Sequence, residues 1–248
     1  MIPLKSDKDL EILRQGGKIL AKIIKRITEC VKIGISTAQI DSLAEELIRE
    51  AGCKSAFKGY QGYPATVCIS LNEEVVHGIP GPRILKDKDI VSLDFGIEYQ
   101  GYFTDAAVTL ALGRTEPRTK KLIEVARKAL SEGIKQAVVG NYLTDISYAV
   151  QDYVEKNGFS VVRDFVGHGI GTELHEEPEI PNFGRPRQGA LLKSGMVLAI
   201  EPMVNMGTWE TKILDNGWTA VTKDGLPSVH FEHTVAVTKN GPEILTAF

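Results

Sequence analysis

Apolar residues recur at helical spacing along the first 34 positions. In the segment 7–34, Leu10, Leu13, Ile19, Leu20, Ile23, Ile24, Ile27 and Val31 fall on one face, and Gly34 supplies a stop. A second helical stretch covers 37–52, opened by Ser36 or Thr37 as a cap and closed by Gly52. The pattern then changes. The runs 66–72, 73–79, 88–97 and 102–112 are rich in β-branched residues and bounded by Gly, Pro, Asn and Asp, which predicts strands. Helical spacing returns at 117–140 and 144–158. Strand-like runs follow at 161–167, 196–204, 217–223 and 228–238.

The order helix, helix, strands therefore occurs twice, and the two copies align in detail. Gly34 and Gly140 end the first helix of each pair and Gly52 and Gly158 the second, each pair of glycines 106 residues apart. The segment LKDKDIVSLDFG resembles LKSGMVLAIEPM: in each, an acid closes an apolar strand eight residues after the lysine, Asp94 in one and Glu201 in the other. Such repetition predicts a pseudo-two-fold α+β domain over 1–248, with halves near 7–112 and 114–240 and a site at their seam. The Pro/Gly-rich pieces at 78–83 and 178–189 are short enough for surface loops.

Composition narrows the classes. Apolar content of 43% and charged content of 25% are those of a soluble globular protein. With 32 acids against 29 bases there is no basic field of the kind nucleic-acid binders carry. Three widely spaced cysteines, Cys30, Cys53 and Cys68, argue for reduced thiols and no disulfide framework. The first residues show no apolar signal region, and no run of 18 apolar residues suggests a membrane span. The expectation is a cytoplasmic protein.

Candidate chemistry begins with the hairpin 90–110. A two-residue loop at Tyr99–Gln100 would set Asp94 directly opposite Asp105, with Cβ atoms ~4.5–5.5 Å apart; a one-residue shift would make them diagonal neighbours. Like charges in a buried sheet need neutralising, by a shared proton or by a divalent metal. Glu201 ends the apolar run MVLAI. In SVHFEHTVAVT, alternation places Ser228, His230, Glu232 and Thr234 on one face. With His168 these acids make four carboxylates and one imidazole, a set suited to two bridged divalent ions. Oxygen-rich ligation favours manganese, iron(II) or cobalt, with zinc possible. Other patterns fall short: HEEPE lacks the second histidine of HExxH, and GHGIGT is not GxGxxG. Cys68, in TVCISL, reads as a packed core or pocket residue more readily than as a nucleophile.

HGIP around His77, the Asp94/Asp105 hairpin, GHGIGTELHEEP, AIEPM and FEHTV occur in this order over nearly the whole chain. Together they resemble the methionine aminopeptidases, dinuclear metalloproteases of the pita-bread fold, in which repeated helix–helix–strand units surround a curved antiparallel β-sheet. Only 26 residues separate His175 from Glu201, with no room for the helical insertion of the type 2 enzymes, and no long extension precedes the first helix. Both features resemble type 1. The resemblance implies removal of the initiator methionine from nascent polypeptides with a small second residue, met at the ribosome, and a monomer is expected. It implies metal ligands at Asp94, Asp105, His168, Glu201 and Glu232. Glu201 would also shuttle a proton, and His77 and His175 would contact the substrate amide and the transition state. The methionine pocket would fall on Tyr60, Tyr63, Cys68 and Trp218. Leu174 stands where the family commonly has an aromatic residue, and Phe57 where it often has a smaller one. His230 is expected at the surface and His233 at best behind the ligands. The alternatives are an Xaa-Pro peptidase of the same fold, although such relatives normally carry an additional N-terminal domain, and a non-catalytic binding protein.

Overall fold

The computed structural model describes residues 2–247. Four helices form where the apolar spacing predicts them: α1 Asp7–Cys30, α2 Thr37–Glu50, α3 Pro117–Lys135 and α4 Leu143–Lys156. The first three end short of the sequence pattern, while α4 begins one residue earlier and ends two residues sooner. Helix α1 opens with a reciprocal cap: Ser6 Oγ accepts from the Asp9 N–H at 3.3 Å, and Asp9 Oδ2 accepts from the Ser6 N–H at 2.8 Å. Ser36 and Gln39 cap α2 in the same way. Leu13, Leu20, Ile24 and Ile27 are fully buried on the inner stripe of α1. Burying each such side chain contributes roughly 1.5–3 kcal/mol, so this stripe holds the helix to the sheets more than its intrinsic propensity does.

The strands form antiparallel sheets throughout. The first half contributes the long hairpin Ile90–Tyr99 and Tyr102–Ala111, with Lys54–Ser55 and Cys68–Leu71 paired to its first strand. The second half contributes a five-stranded sheet ordered Gly241–Ile244, His233–Thr238, Val197–Ile200, Gly167–Gly169, Glu176–Ile180. The 106-residue correspondence extends to bonding. The Gly34 N–H donates to the Leu85 carbonyl and the Gly140 N–H to that of Leu192, while isolated bridges join Ser36 to Ile84 and Tyr142 to Leu191.

Three expected strands are interrupted, and two of the breaks carry acids. The run 196–204 splits into Val197–Ile200 and Met203–Asn205, because Pro202 has no N–H for the ladder. Its partner 228–238 splits at the same level into Ser228–His230 and His233–Thr238, leaving Phe231 and Glu232 between. Glu232 instead exchanges backbone hydrogen bonds with Ala107 of the first hairpin, at 3.0 and 3.4 Å. Thr234 Oγ1 donates to the Asp105 carbonyl at 2.7 Å, and Thr109 Oγ1 to that of His230 at 2.7 Å. These bonds stitch the two halves together beside the acids. The third run, 161–167, is strand only at its two ends: Val161 closes Ser160–Val161 and Gly167 opens Gly167–Gly169.

Candidate metal centre

The hairpin turn is Gln100–Gly101, one residue later than expected, with Tyr99 paired to Tyr102. Both turn residues have positive φ, 52° and 82°, as a twist-matched two-residue loop requires, and glycine adopts that conformation without strain. Asp94 therefore faces Ala107, and Asp105 faces Gly96. The aspartates are diagonal neighbours on one face, not directly opposed, which relieves repulsion while keeping both carboxylates on the same side. Asp94 also lies across from Cys68 on the neighbouring strand.

His168 comes in on a glycine-flanked strand. A Cβ at Gly167 would stand 2.4 Å from the Ala199 carbonyl oxygen, and one at Gly169 2.2 Å from that of Glu177, so only glycine lets this strand lie so close to its neighbours. His168 Nδ1 donates to the Gly169 carbonyl at 2.9 Å. With Nδ1 so engaged, Nε2 faces Asp105 Oδ2, 3.6 Å away, and Glu201 Oε1, 3.5 Å away.

Asp105, His168 and Glu232 are buried and place one donor atom each within 4.8 Å of one another. Asp94 and Glu201 line the same cavity. All five residues expected from the sequence thus converge at the seam, two from the first half and three from the second. Burial pushes the carboxyls of Asp94 and Glu201 up to about 8. It raises Asp105 as well and lifts Glu232 far above the ordinary range, with neighbouring acids adding to the effect on Glu232. Asp94 Oδ1 and Glu232 Oε1 are buried without a hydrogen-bond partner. Several carboxylate oxygens turned on one another repel unless a cation stands among them. The donor set thus fits divalent metal.

A pH dependence follows for chelator-treated protein. The folded form retains protons on Asp94 and Glu201 that the unfolded chain, with ordinary carboxyls near ~4, has released. Where the folded state binds more protons, stability falls with rising pH. The buried histidines, held below their ordinary value, oppose this trend while the unfolded chain's imidazoles titrate. The Tm of metal-free protein should therefore decline between about pH 7 and pH 8, and added metal should remove the decline. A metal-free Tm that is flat or rising over that window would contradict these assignments.

The cavity above the acids measures about 290 Å³. His175 stands over His168, ring centroids 4.3 Å apart, and its Nδ1 meets the Tyr60 hydroxyl at 2.7 Å. His77 lies on the wall, edge-on to Phe165 at 5.5 Å and Trp218 at 6.5 Å. It leaves its strand in a left-handed conformation, φ 59°, and Tyr63 anchors the loop by donating to the Gly78 carbonyl at 2.8 Å. Burial holds both imidazoles down at about 4, so both are neutral near pH 7. Tyr63, Cys68 and Trp218 form the apolar end, with Tyr63 edge-on to Trp218 at 5.1 Å, and Phe57 and Leu174 complete the lining. Burial, reinforced by Asp94, raises the Cys68 thiol far above its ordinary value, which disfavours the thiolate a cysteine hydrolase needs.

One expectation is reversed. His230 is not at the surface: it is 2% exposed, lines the cavity, and places Nε2 3.5 Å from Glu201 Oε2. The signal was available, since alternation already put it on the same face as Glu232. His233 is half-buried, with Nδ1 3.1 Å from Thr246 Oγ1.

The chain is similar to known proteins over nearly its whole length. The profile of metallopeptidase family M24 matches residues 11–239. The chain is 53% identical to a methionine aminopeptidase of Clostridium perfringens over 246 residues, 99% of each protein. It is 48% identical to methionine aminopeptidase 1 of Bacillus subtilis, covering 99% of this chain. The crystal structure of methionine aminopeptidase from Thermotoga maritima superposes with a TM-score of 0.98 at 45% identity, covering 100% of both chains. Prolidase from Pyrococcus furiosus shares the fold, with a TM-score of 0.80 at 23% identity, and this chain covers 65% of its length.

Proposed function

The chain belongs to metallopeptidase family M24, and from that membership we propose that it removes the N-terminal methionine from newly made polypeptides whose second residue is small, as a type 1 methionine aminopeptidase. The observation that carries this reading is the buried group of Asp105, His168 and Glu232 at the floor of a cavity whose other end is lined by Tyr63, Cys68 and Trp218. Asp94, Asp105, His168, Glu201 and Glu232 would hold two divalent ions. Their oxygen-rich donors suit manganese, iron(II) or cobalt, and admit zinc. When bound, these ions supply Lewis-acid polarisation of the scissile carbonyl and bring the pKa of water toward neutrality.

The chain's own residues do the rest. Glu201 accepts the proton of the attacking water and returns it to the leaving nitrogen. With the Tyr60 hydroxyl donating to Nδ1, the neutral His175 ring carries its proton on Nε2 and offers that N–H to the developing oxyanion. His77, also neutral, hydrogen-bonds the peptide nitrogen and helps it depart. Tyr63, Cys68 and Trp218, with Tyr60 at the entrance, hold the methionine thioether, for which aromatic edges and a protonated thiol are suitable neighbours. The five metal-binding positions straddle both halves, in keeping with a single catalytic domain.

The reading extends to the setting. Substrates are N-termini of nascent chains in the cytoplasm, met at the ribosome, and the enzyme acts as a monomer. No helix among the described residues is long and apolar enough to cross a membrane.

The test is methionine release by metal-stripped protein with single metals restored. Met-Ala-Ser should be cleaved only with metal present, and Met-Leu-Ser should resist. Cleavage of Xaa-Pro dipeptides in place of Met-Ala-Ser would move the assignment to the proline-directed branch of the fold.

A further inference from the structure

His230 takes no part in the chemistry above, yet it is buried beside it. Its backbone is fixed twice by Thr109, whose Oγ1 accepts from the His230 N–H at 3.0 Å and donates to its carbonyl at 2.7 Å. The strand pairing with Met203 holds it from the other side. Its Nε2 is buried without a hydrogen-bond partner and lies 3.5 Å from Glu201 Oε2. His168 stands at the same 3.5 Å from the other oxygen, Oε1. The Glu201 carboxylate is thus flanked by two imidazoles, one at each oxygen.

The two imidazoles have different companions. His168 shares its donor distance with Asp105 and Glu232, whereas His230 joins no such group among the described residues. A metal donor needs several partners within reach; a carboxylate hydrogen-bond donor needs one. At 3.5 Å the contact is just outside good hydrogen-bond range, and a movement of under about 1 Å brings it in. Site hydrogen bonds commonly tighten in this way when the site is filled.

We infer that His230 is a positioning residue for Glu201: its Nε2–H holds Oε2, so that Oε1 alone is presented toward His168 and the metal site. This rests on the role proposed for Glu201 above. It adds a determinant that sets which carboxylate oxygen binds and which stays fixed.

Two measurements test it. The first uses zinc-loaded, ¹⁵N-histidine-labelled protein, with nitrogen–proton correlations of the imidazoles and His230 assigned by its loss in His230→Gln. The His230 proton should reside on Nε2, and Glu201→Gln should shift its resonance. A proton on Nδ1 instead, or a resonance indifferent to Glu201→Gln, overturns the inference. This measurement needs no turnover, so it separates failure here from failure of the proposed activity. The second compares His230→Leu, which has no donor, with His230→Gln, which has one. The Leu variant should lower kcat by ~10–100-fold, the usual effect of losing a partner behind a metal ligand, with KM little changed. The Gln variant should recover about tenfold or more of that loss. Equal kcat in the two variants overturns the positioning role, and so does a loss of bound metal in the Gln variant, which would make His230 a ligand. If the Leu variant does not fold, the nitrogen spectra of the unaltered protein still decide.

Discussion

Asp105→Asn is expected to weaken divalent metal binding by at least ~10²-fold, since even partners behind the ligands are worth 10–100-fold, and to lose methionine release with it. Asp105 reaches toward His168 at 3.6 Å and is in hydrogen-bond contact with Glu232, so no other carboxylate replaces it in that group. The same substitution should act in the opposite direction on metal-free protein. Asp105 is buried among acids, and burial already raises its carboxyl. Removing that charge relieves repulsion, so the Tm in chelator at about pH 8 should rise, not fall. Titration calorimetry and melting curves read the two effects separately. Undiminished metal affinity, or a lower Tm in chelator from a folded variant, would show that Asp105 is a structural residue.

His175→Ala should lower kcat by ~10²–10³-fold, the loss typical of one oxyanion donor, while metal content stays near that of the unaltered enzyme. The separation follows from geometry. His168 Nε2 faces the carboxylates, whereas His175 is turned to the Tyr60 hydroxyl at Nδ1 and stands above His168 in the cavity. Because burial keeps the His175 ring at about 4, it works as a neutral donor and needs no proton from solvent near pH 7. Metal analysis beside steady-state kinetics checks this. Loss of metal in step with activity would move His175 into the ligand set.

Much of this was legible from residue order. The stripe from Leu10 to Ile27 specified α1, and Ser36 or Thr37 marked the start of α2, where the cap proves to be Ser36. The four acidic candidate ligands could be picked out because acids within apolar strand-like runs are costly without a counter-charge. The errors have identifiable origins. Hairpin register depended on a choice between Tyr99–Gln100 and Gln100–Gly101, which differ by one residue, and the positive φ of both turn residues decides it. Pro202 announces the break after Glu201. Nothing local announces the matching break at Phe231–Glu232, which arises because that strand pairs with the broken one and turns instead to Ala107. His230 was set aside although its alternation with Glu232 pointed inward.

The stitching of Glu232 to Ala107 also bears on how the protein is born. The five residues enter the chain in the order 94, 105, 168, 201 and 232, and the strand Gly241–Ile244 that backs His233–Thr238 comes later still. A ribosome that has released the first half has produced two acids of the set and nothing to close them. On the proposed ligand set, the centre cannot assemble until Glu232 has been made. Peptidase activity would then be withheld by the order of synthesis alone from copies that have not reached Glu232, and a chain truncated before it would be inert without any inhibitor to make it so.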